Sequence, residues 1–428
     1  MLVRPVRAGR LFALLCVVVL GAPQAFAQSF KSEEVDRSFS RKGQIAKRYA
    51  KDPSGDPEQK KEFEEYFQKY YFPAMTQHTD SALANLGKRR LDLFKQFIWI
   101  ADRSSQDYLT DRAFEFASRV INSGRYHPAV TYNALLVLGQ LDSQYTGPVS
   151  DTPTPHAEAN TLLCKVARGT AKEARLPRFL LAGALVGLER HAKYLDKLPA
   201  ANQETTTSTL LALMTAKELP GEFRDGVREW IYTQVARALV NLGPGEAQGK
   251  AFQAITGKIA DESLDIGTRL QLASMLGEMR PEGALPGADQ AAEALDSLAK
   301  TIAERERDFA ETYENTQLRR GGSRDLGGGR GEEARRFVTV DRQIEMSRSA
   351  FLAPLKQLSD AIKVVAPMVE DPAKSRLNTI RSALDSAIST ITDDDKSDLD
   401  IADEIKKSAD RILVEGGDAE AAADDLDF

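Results

Sequence analysis

The sequence predicts an all-α fold: an irregular α-helical repeat followed by a C-terminal long-helix hairpin or small bundle. Three observations predict it. A short phrase recurs as NALLVLGQL at Leu138, GALVGLERH at Leu188, RALVNLGPG at Leu242 and LASMLGEMR at Leu276. Recurrence of one small-residue-rich helix at separations of tens of residues marks a stacked helical array. Beyond residue 331 the apolar residues change to heptad-like spacing, with Phe351, Leu355, Leu358, Ile362 and Val365 stepping by fours and threes, the pattern of a helix with one apolar stripe. Composition agrees: 42% hydrophobic and 28% charged residues across 428 positions suffice for a buried core.

Residues 1–27 read as a signal peptide. Arg4, Arg7 and Arg10 form a basic front, Leu11 to Ala22 is apolar, and Ala25-Phe26-Ala27 gives a small-x-small cleavage pattern. The apolar run is too short to span a bilayer, so a cleaved signal is expected, with Gln28 as the mature start. A lipoprotein reading through Cys16 fails because Leu15 precedes it where a small residue is needed. Processing leaves a single cysteine, Cys164, in the apolar setting LLCKVA, which suits a buried inert thiol and excludes an intrachain disulfide. The expected localisation is exported, periplasmic or secreted.

Residues 28–57 are polar and read as a flexible or weakly helical leader. From 58 to 285 the chain is expected to form the repeat domain. Phe63, Tyr66, Phe67 and Tyr70 share one helical face, better suited to packing than to a ligand platform. Leu83 to Ile100 forms a second helix, with Leu83, Leu86, Phe94, Phe97 and Trp99 or Ile100 inward. Thr110 to Asn122 forms a third, striped by Ala113, Phe114, Ala117 and Val120 and stopped by Gly124. The next begins near Pro128 and carries the first copy of the phrase.

A helix, a turn, then a proline near the start of an Ala/Leu/Val helix closing in Leu-Gly resembles the HEAT family of antiparallel helix pairs. Its best match is GVREWIYTQVARALVNLG, with Val227, Ile231, Val235, Ala238 and Leu239 on one face and Arg228 near the start. The aligned leucines lie 50, 54 and 34 residues apart, against roughly 40 to 47 for regular units. The resemblance therefore implies degenerate HEAT-like repeats with inserted loops over about residues 80–285. The tetratricopeptide pattern, which would be the rival, is absent. TGPVSDTPTP at 146–155, with Pro148, Pro153 and Pro155, reads as an exposed loop, and NQETTTST near Thr205 as a polar loop or helix start.

Residues 286–415 read as long helices. Ala288 to Asn315 is one, with Ala291, Leu295, Leu298, Ile302 and Phe309 on one side. RRGGSRDLGGGRG at 319–331 reads as a flexible linker, since glycine at that density ends a helix. Further stripes follow through Leu377, Ile380, Leu384, Ile388 and Ile391, then Ile401, Ile405 and Ile412. Residues 416–428 read as an acidic disordered tail. Of the net charge of −6, the stretch from Ile391 to Phe428 holds 14 acids against 4 bases. The rest of the mature chain is near neutral, which argues against nucleic-acid binding.

No catalytic constellation emerges, and no catalytic, cofactor-binding or metal-binding residue is nominated. His78, His127, His156 and His191 are far apart and sit near turns or helix ends, where solvated or capping roles are expected. Asp393, Asp395, Ser397 and Glu404 match four positions of a calcium loop, but Asp398 stands where the loop needs glycine, and a capped turn explains the run better. GGSRD lacks the second glycine of a nucleophile elbow. The expected function is therefore an exported helical-repeat scaffold or binding protein for a protein or envelope polymer partner. An exported enzyme with a helical accessory domain and a component that self-assembles through its C-terminal helices are the alternatives.

Overall fold

The computed structural model describes residues 30–53, 56–146, 151–172, 178–216, 225–243, 245–281, 283–322, 348 and 351–414. The signal segment, Pro148, linker residues 323–331 and the acidic tail lie outside the described residues. Among the described residues the fold is all-α apart from one two-stranded ribbon. No helix among the described residues is long and apolar enough to cross a membrane. The chain divides into two compact units: Met1–Gln106 with Arg119–Asn133, and Asp107–Ser118 with Ala134–Phe428.

In the first unit the stretch expected as a leader is helical over much of its length. A 3-10 turn at Arg37–Arg41, capped by the Asp36 carboxylate, precedes α1 (Gly43–Lys51) and buries Phe39, while α1 buries Ala46, Tyr49 and Ala50. α2 begins at Pro57–Glu65, with Asp56 as its cap and proline in the first position, and passes through a π-helical turn at Tyr66–Tyr71 to Phe72–Ala74. The extra residue of the π turn rotates the apolar face. Phe63, Tyr66 and Phe67 are buried as their spacing requires, and Tyr71 and Phe72 join them, while Tyr70 stays half-exposed. α3 runs from Asp80–Ala84 through Leu86–Asp92 and has a second π turn at Leu93–Phe97, then a 3-10 turn at Ile98–Ile100. Of the two residues expected inward at this end, Trp99 is 51% exposed and Ile100 is half-buried, while Ile98 is buried beside them.

α4 (Arg103–Ser123) is capped by Asp102 and ends where Gly124 takes φ +62°, the left-handed conformation that glycine tolerates best. α5 (Pro128–Leu138) follows. Both helices contribute residues to each unit.

In the second unit, β1 (Asp142–Gln144) pairs antiparallel with β2 (Thr154–Pro155). Thr146, Asp151 and Thr152 of the segment expected as an exposed loop are exposed, but Pro153 and Pro155 are buried and Thr154–Pro155 form β2. α6 (Ala157–Lys172), α7 (Arg178–Ala192), α8 (Ala200–Thr215), α9 (Asp225–Val240), α10 (Glu246–Ile259) and α11 (Ile266–Glu278) follow, then α12 (Ala288–Gly322). The neighbour relations alternate. α7 packs on α9 and α9 on α11; α6 packs on α8, α8 on α10 and α10 on α12. Sequential helices also touch, as α6 does α7 and α10 does α11. In α9, Ile231, Val235, Ala238 and Leu239 are buried as their spacing predicts, but Val227, one turn earlier, is 40% exposed. α12 continues to Gly322, so Arg319–Gly322 close a helix where a linker is expected.

α13 (351–365) follows, then α14 (Ala373–Thr392) and α15 (Asp398–Leu413). α12, α14 and α15 pack on one another. Their stripes, Leu295, Leu298 and Ile302, Leu377, Ile380 and Leu384, and Ile401, Ile405 and Ile412, are all buried. Ser397 caps α15 in a reciprocal capping box with Asp400. Glu404 lies on α15, where it accepts hydrogen bonds from Ser386 and Ser408.

Gly257 is among the described glycines that packing does not explain. Gly257 is exposed within α10, and a Cβ there would meet nothing within 4 Å. Gly257→Ala is expected to raise stability by about 0.5–1 kcal/mol, because alanine loses less backbone entropy on folding. The urea midpoint checks it.

Candidate functional site

Three places in the described structure gather side chains with chemical potential. The densest is a polar seam where α6 meets α7 and α8. Asn160 of α6 is fully buried; its Oδ1 accepts from Thr206 Oγ1 at 3.1 Å and from Asn202 Nδ2 at 3.1 Å, both on α8. Its Nδ2 lies 3.5 Å from His191 Nδ1 on α7. Asn202 Nδ2 also reaches the Ala157 carbonyl at 2.9 Å. One turn along α6, Cys164 Sγ sits 3.6 Å from Thr206 Oγ1. Beyond it, Arg168 donates to Thr209 Oγ1 at 2.7 Å, the Thr205 carbonyl at 3.0 Å and Ser208 Oγ at 2.6 Å. The seam exists because NQETTTST, expected as a polar loop or helix start, is the start of a helix. It lies in α8, and Thr206, Thr209, Leu210 and Leu213 fall on one helical face, all buried.

The electrostatics keep this seam chemically quiet. Burial, then the neighbouring Arg190 charge, hold His191 down at about 3, while the Leu138 backbone pulls weakly the other way. Its imidazole is therefore neutral at physiological pH and has no solvent path for proton exchange. Burial pushes the Cys164 thiol up, away from the thiolate a nucleophile needs. His191 thus departs from the solvated or capping role expected of it. His127 and His156 do cap: their Nδ1 atoms accept from the backbone N–H of Ala129 at 3.2 Å and of Ala159 at 3.3 Å.

Beside the seam, Arg190 forks onto Asp142 at the start of β1, donating at 2.8 and 2.6 Å to its two carboxylate oxygens, and also reaches the Gly139 carbonyl at 3.3 Å. Asp142 is buried, and burial raises its pKa despite the Arg190 partner. Removal of the arginine strands that carboxylate. Arg190→Ala is expected to cost about 2 kcal/mol, below the 3–5 typical of fully buried pairs because the Arg190 side chain is 30% exposed. Adding Asp142→Asn should recover part of the loss in a double-mutant cycle.

The second place is a cleft among α12, α13 and α15. Phe309, Tyr313 and Phe351 line it with Ile401 and Ile405, and Arg348 closes one side by donating to Asp398 at 2.7 and 3.0 Å. Phe309 is 46% exposed and meets Phe351 edge-on at 5.0 Å, so it leaves the buried stripe predicted for α12. An aromatic cleft with one ion pair at its rim can hold an apolar group and orient it by one charge.

The third, in the first unit, is the extended segment Phe30–Asp36. Lys31 N–H donates to the Arg125 carbonyl and Asp36 N–H to the Lys69 carbonyl, each at 2.9 Å. Glu33 N–H donates to Thr76 Oγ1 at 2.8 Å. The Glu33 carboxylate accepts from Arg119 Nε at 2.9 Å, from a second Arg119 nitrogen at 3.2 Å and from the Tyr126 hydroxyl at 2.8 Å. Phe30 stands edge-on to both His78 and His127, whose rings lie parallel 6.5 Å apart. No spacing along the chain joins these residues; only the fold brings them together.

No protein-family model matches this chain, and no curated protein matches it. Asp393 and Asp395 lie in the turn before α15, apart from any group of three or more acidic, histidine or cysteine side chains able to hold a metal among the described residues.

Proposed function

We propose that this chain is an exported helical-repeat protein that binds a protein or envelope-polymer partner as a scaffold. The observation that carries the reading is the alternation of helix contacts. The recurring phrase sits at the ends of α5, α7, α9 and α11, and of these α7, α9 and α11 neighbour one another in turn, while α6, α8, α10 and α12 form the second row. That arrangement is what stacked antiparallel pairs of the HEAT kind would produce, and a continuous stack offers an extended surface suited to binding. The spacing of 50, 54 and 34 residues is then one helix pair each time, lengthened where the ribbon and the longer connections are inserted.

The chemistry supports binding over catalysis. The one buried histidine and the one mature cysteine are both held in unreactive states. Assembly through the C-terminal helices is less favoured, because the stripes of α12, α14 and α15 are already buried within the chain. The heptad-like stripes beyond residue 331 support a C-terminal hairpin or small bundle as a separate part of the chain. Export rests on the signal-like residues 1–27 and is tested by N-terminal sequencing of the processed protein, which should begin at Gln28. The binding function is tested by in-cell crosslinking, identification of the attached molecule, and titration of that molecule in pure form by calorimetry. A micromolar or tighter constant is expected. Retention of the precursor in the cytoplasm, or no saturable binding by any crosslinked molecule, would overturn the proposal.

A further inference from the structure

We propose that the segment Phe30–Asp36 is an acid-released strap, held by Glu33 and triggered at His127. The geometry separates the two roles. Glu33 is the anchor, since its carboxylate meets Arg119 in a two-pronged contact and also Tyr126, while its backbone N–H and carbonyl are taken by Thr76 and by Gln77 Nε2. Phe30 is the cover. Its ring meets His127 edge-on at 4.9 Å and His78 at 6.0 Å.

His127 is well placed to sense protons. In its neutral form Nδ1 accepts the Ala129 N–H and caps α5. A proton on Nδ1 turns that acceptor into a donor facing another donor, at the positive end of a helix. It also places a cation beside the parallel His78 ring, 6.5 Å away. All of these contacts favour the neutral ring while the strap is docked. The charged and titratable groups that face this place are engaged elsewhere. Lys31 of the strap lies over the Tyr126 ring at 5.4 Å, Tyr126 and Arg119 hold Glu33, and from the α2–α3 side comes His78 itself.

Burial first, and His78 second, lower the affinity of His127 for a proton. Linkage fixes the sign. Undocking exposes the ring and restores its ordinary value near 6.5, so the docked form is favoured above that pH and is lost as the pH falls through it. Carboxylates titrate lower, leaving a window between pH 7.5 and 5.5 that belongs to imidazole groups, and the His127 variant separates its part.

Amide hydrogen exchange of the full-length mature protein tests the strap. Exchange at residues 31–36 should rise between pH 7.5 and 5.5, by up to about tenfold, after correction for intrinsic rates. In His127→Asn, which keeps a side-chain acceptor for the Ala129 N–H but cannot take up the proton, the rise should disappear. Unchanged exchange in the parent protein, or an equal rise in the variant, would overturn the proposal. The reciprocal measurement does not depend on that variant. Glu33→Ala should free the strap at pH 7.5, seen as rapid exchange at the same residues, and the His127 pKa followed by NMR should move up toward its ordinary value. An unshifted His127 with the strap detached would also overturn it.

Discussion

Gly139→Ala is expected to destabilise the protein by about 2 kcal/mol, and Gly139→Val by about 3 or more. A Cβ at Gly139 would stand 2.6 Å from the Gly187 Cα and 3.4 Å from the Gly187 nitrogen. Those are backbone atoms of a packed helix, so no rotamer change relieves the clash. The end of α5 must instead move away from α7, opening the row at its first crossing. Gly187→Ala should cost less. Its Cβ meets the movable end of Leu163 at 2.8 Å and the Gly139 Cα at 3.0 Å, and alanine recovers up to about 1 kcal/mol of helix propensity inside α7. Gly243→Ala supplies the control, because nothing lies within 4 Å of its Cβ. Urea denaturation of the three variants should therefore rank Gly139 as worst and Gly243 as neutral. Equal midpoints would mean that the α5–α7 crossing contributes nothing to stability.

This ranking also shows how much of the fold was legible. Helix positions, their apolar faces and the Gly124 stop follow from spacing and capping. The recurring glycine was visible as a pattern, but each copy has its own cause. Gly139 lies at a helix crossing, Gly277 faces the Asp360 and Ala361 backbone of α13 at 3.0–3.1 Å, and Gly243 faces open space. The two π turns were not legible, because one extra residue leaves composition untouched while rotating every later side chain; Trp99 is the casualty. The polar seam was hidden for a different reason. Thr206, Thr209, Asn160 and His191 read as solvent-facing residues, and only the partner on another helix makes their burial tolerable. The helical spacing from Thr206 to Leu213 was the signal available. The strap depends on contacts 33 to 97 residues apart, beyond the reach of any local pattern.

Acidification from pH 7.5 to 5 is expected to remove about 2 kcal/mol of stability from the second unit through His191 alone. In the folded state His191 is held at about 3 against an ordinary value of 6.5. Between those limits the unfolded chain carries a proton that the folded chain does not accept. The stabilising contribution is therefore complete above pH 6.5 and falls, as pH drops toward 3, by about 1.4 kcal/mol per unit. His156, lowered chiefly by burial, adds a smaller effect of the same sign. Asp142 works oppositely: burial raises its value, so its unfavourable ionisation is relieved as pH falls through the folded value. His191→Gln isolates the main term. Its amide oxygen can accept from Asn160 Nδ2 but takes up no proton, so its stability should be lower at pH 7.5 yet nearly flat down to pH 5. Free energies from urea titrations at pH 7.5, 6 and 5 decide the matter, because parallel profiles for parent and variant would mean that His191 is not the buried base that limits stability in acid.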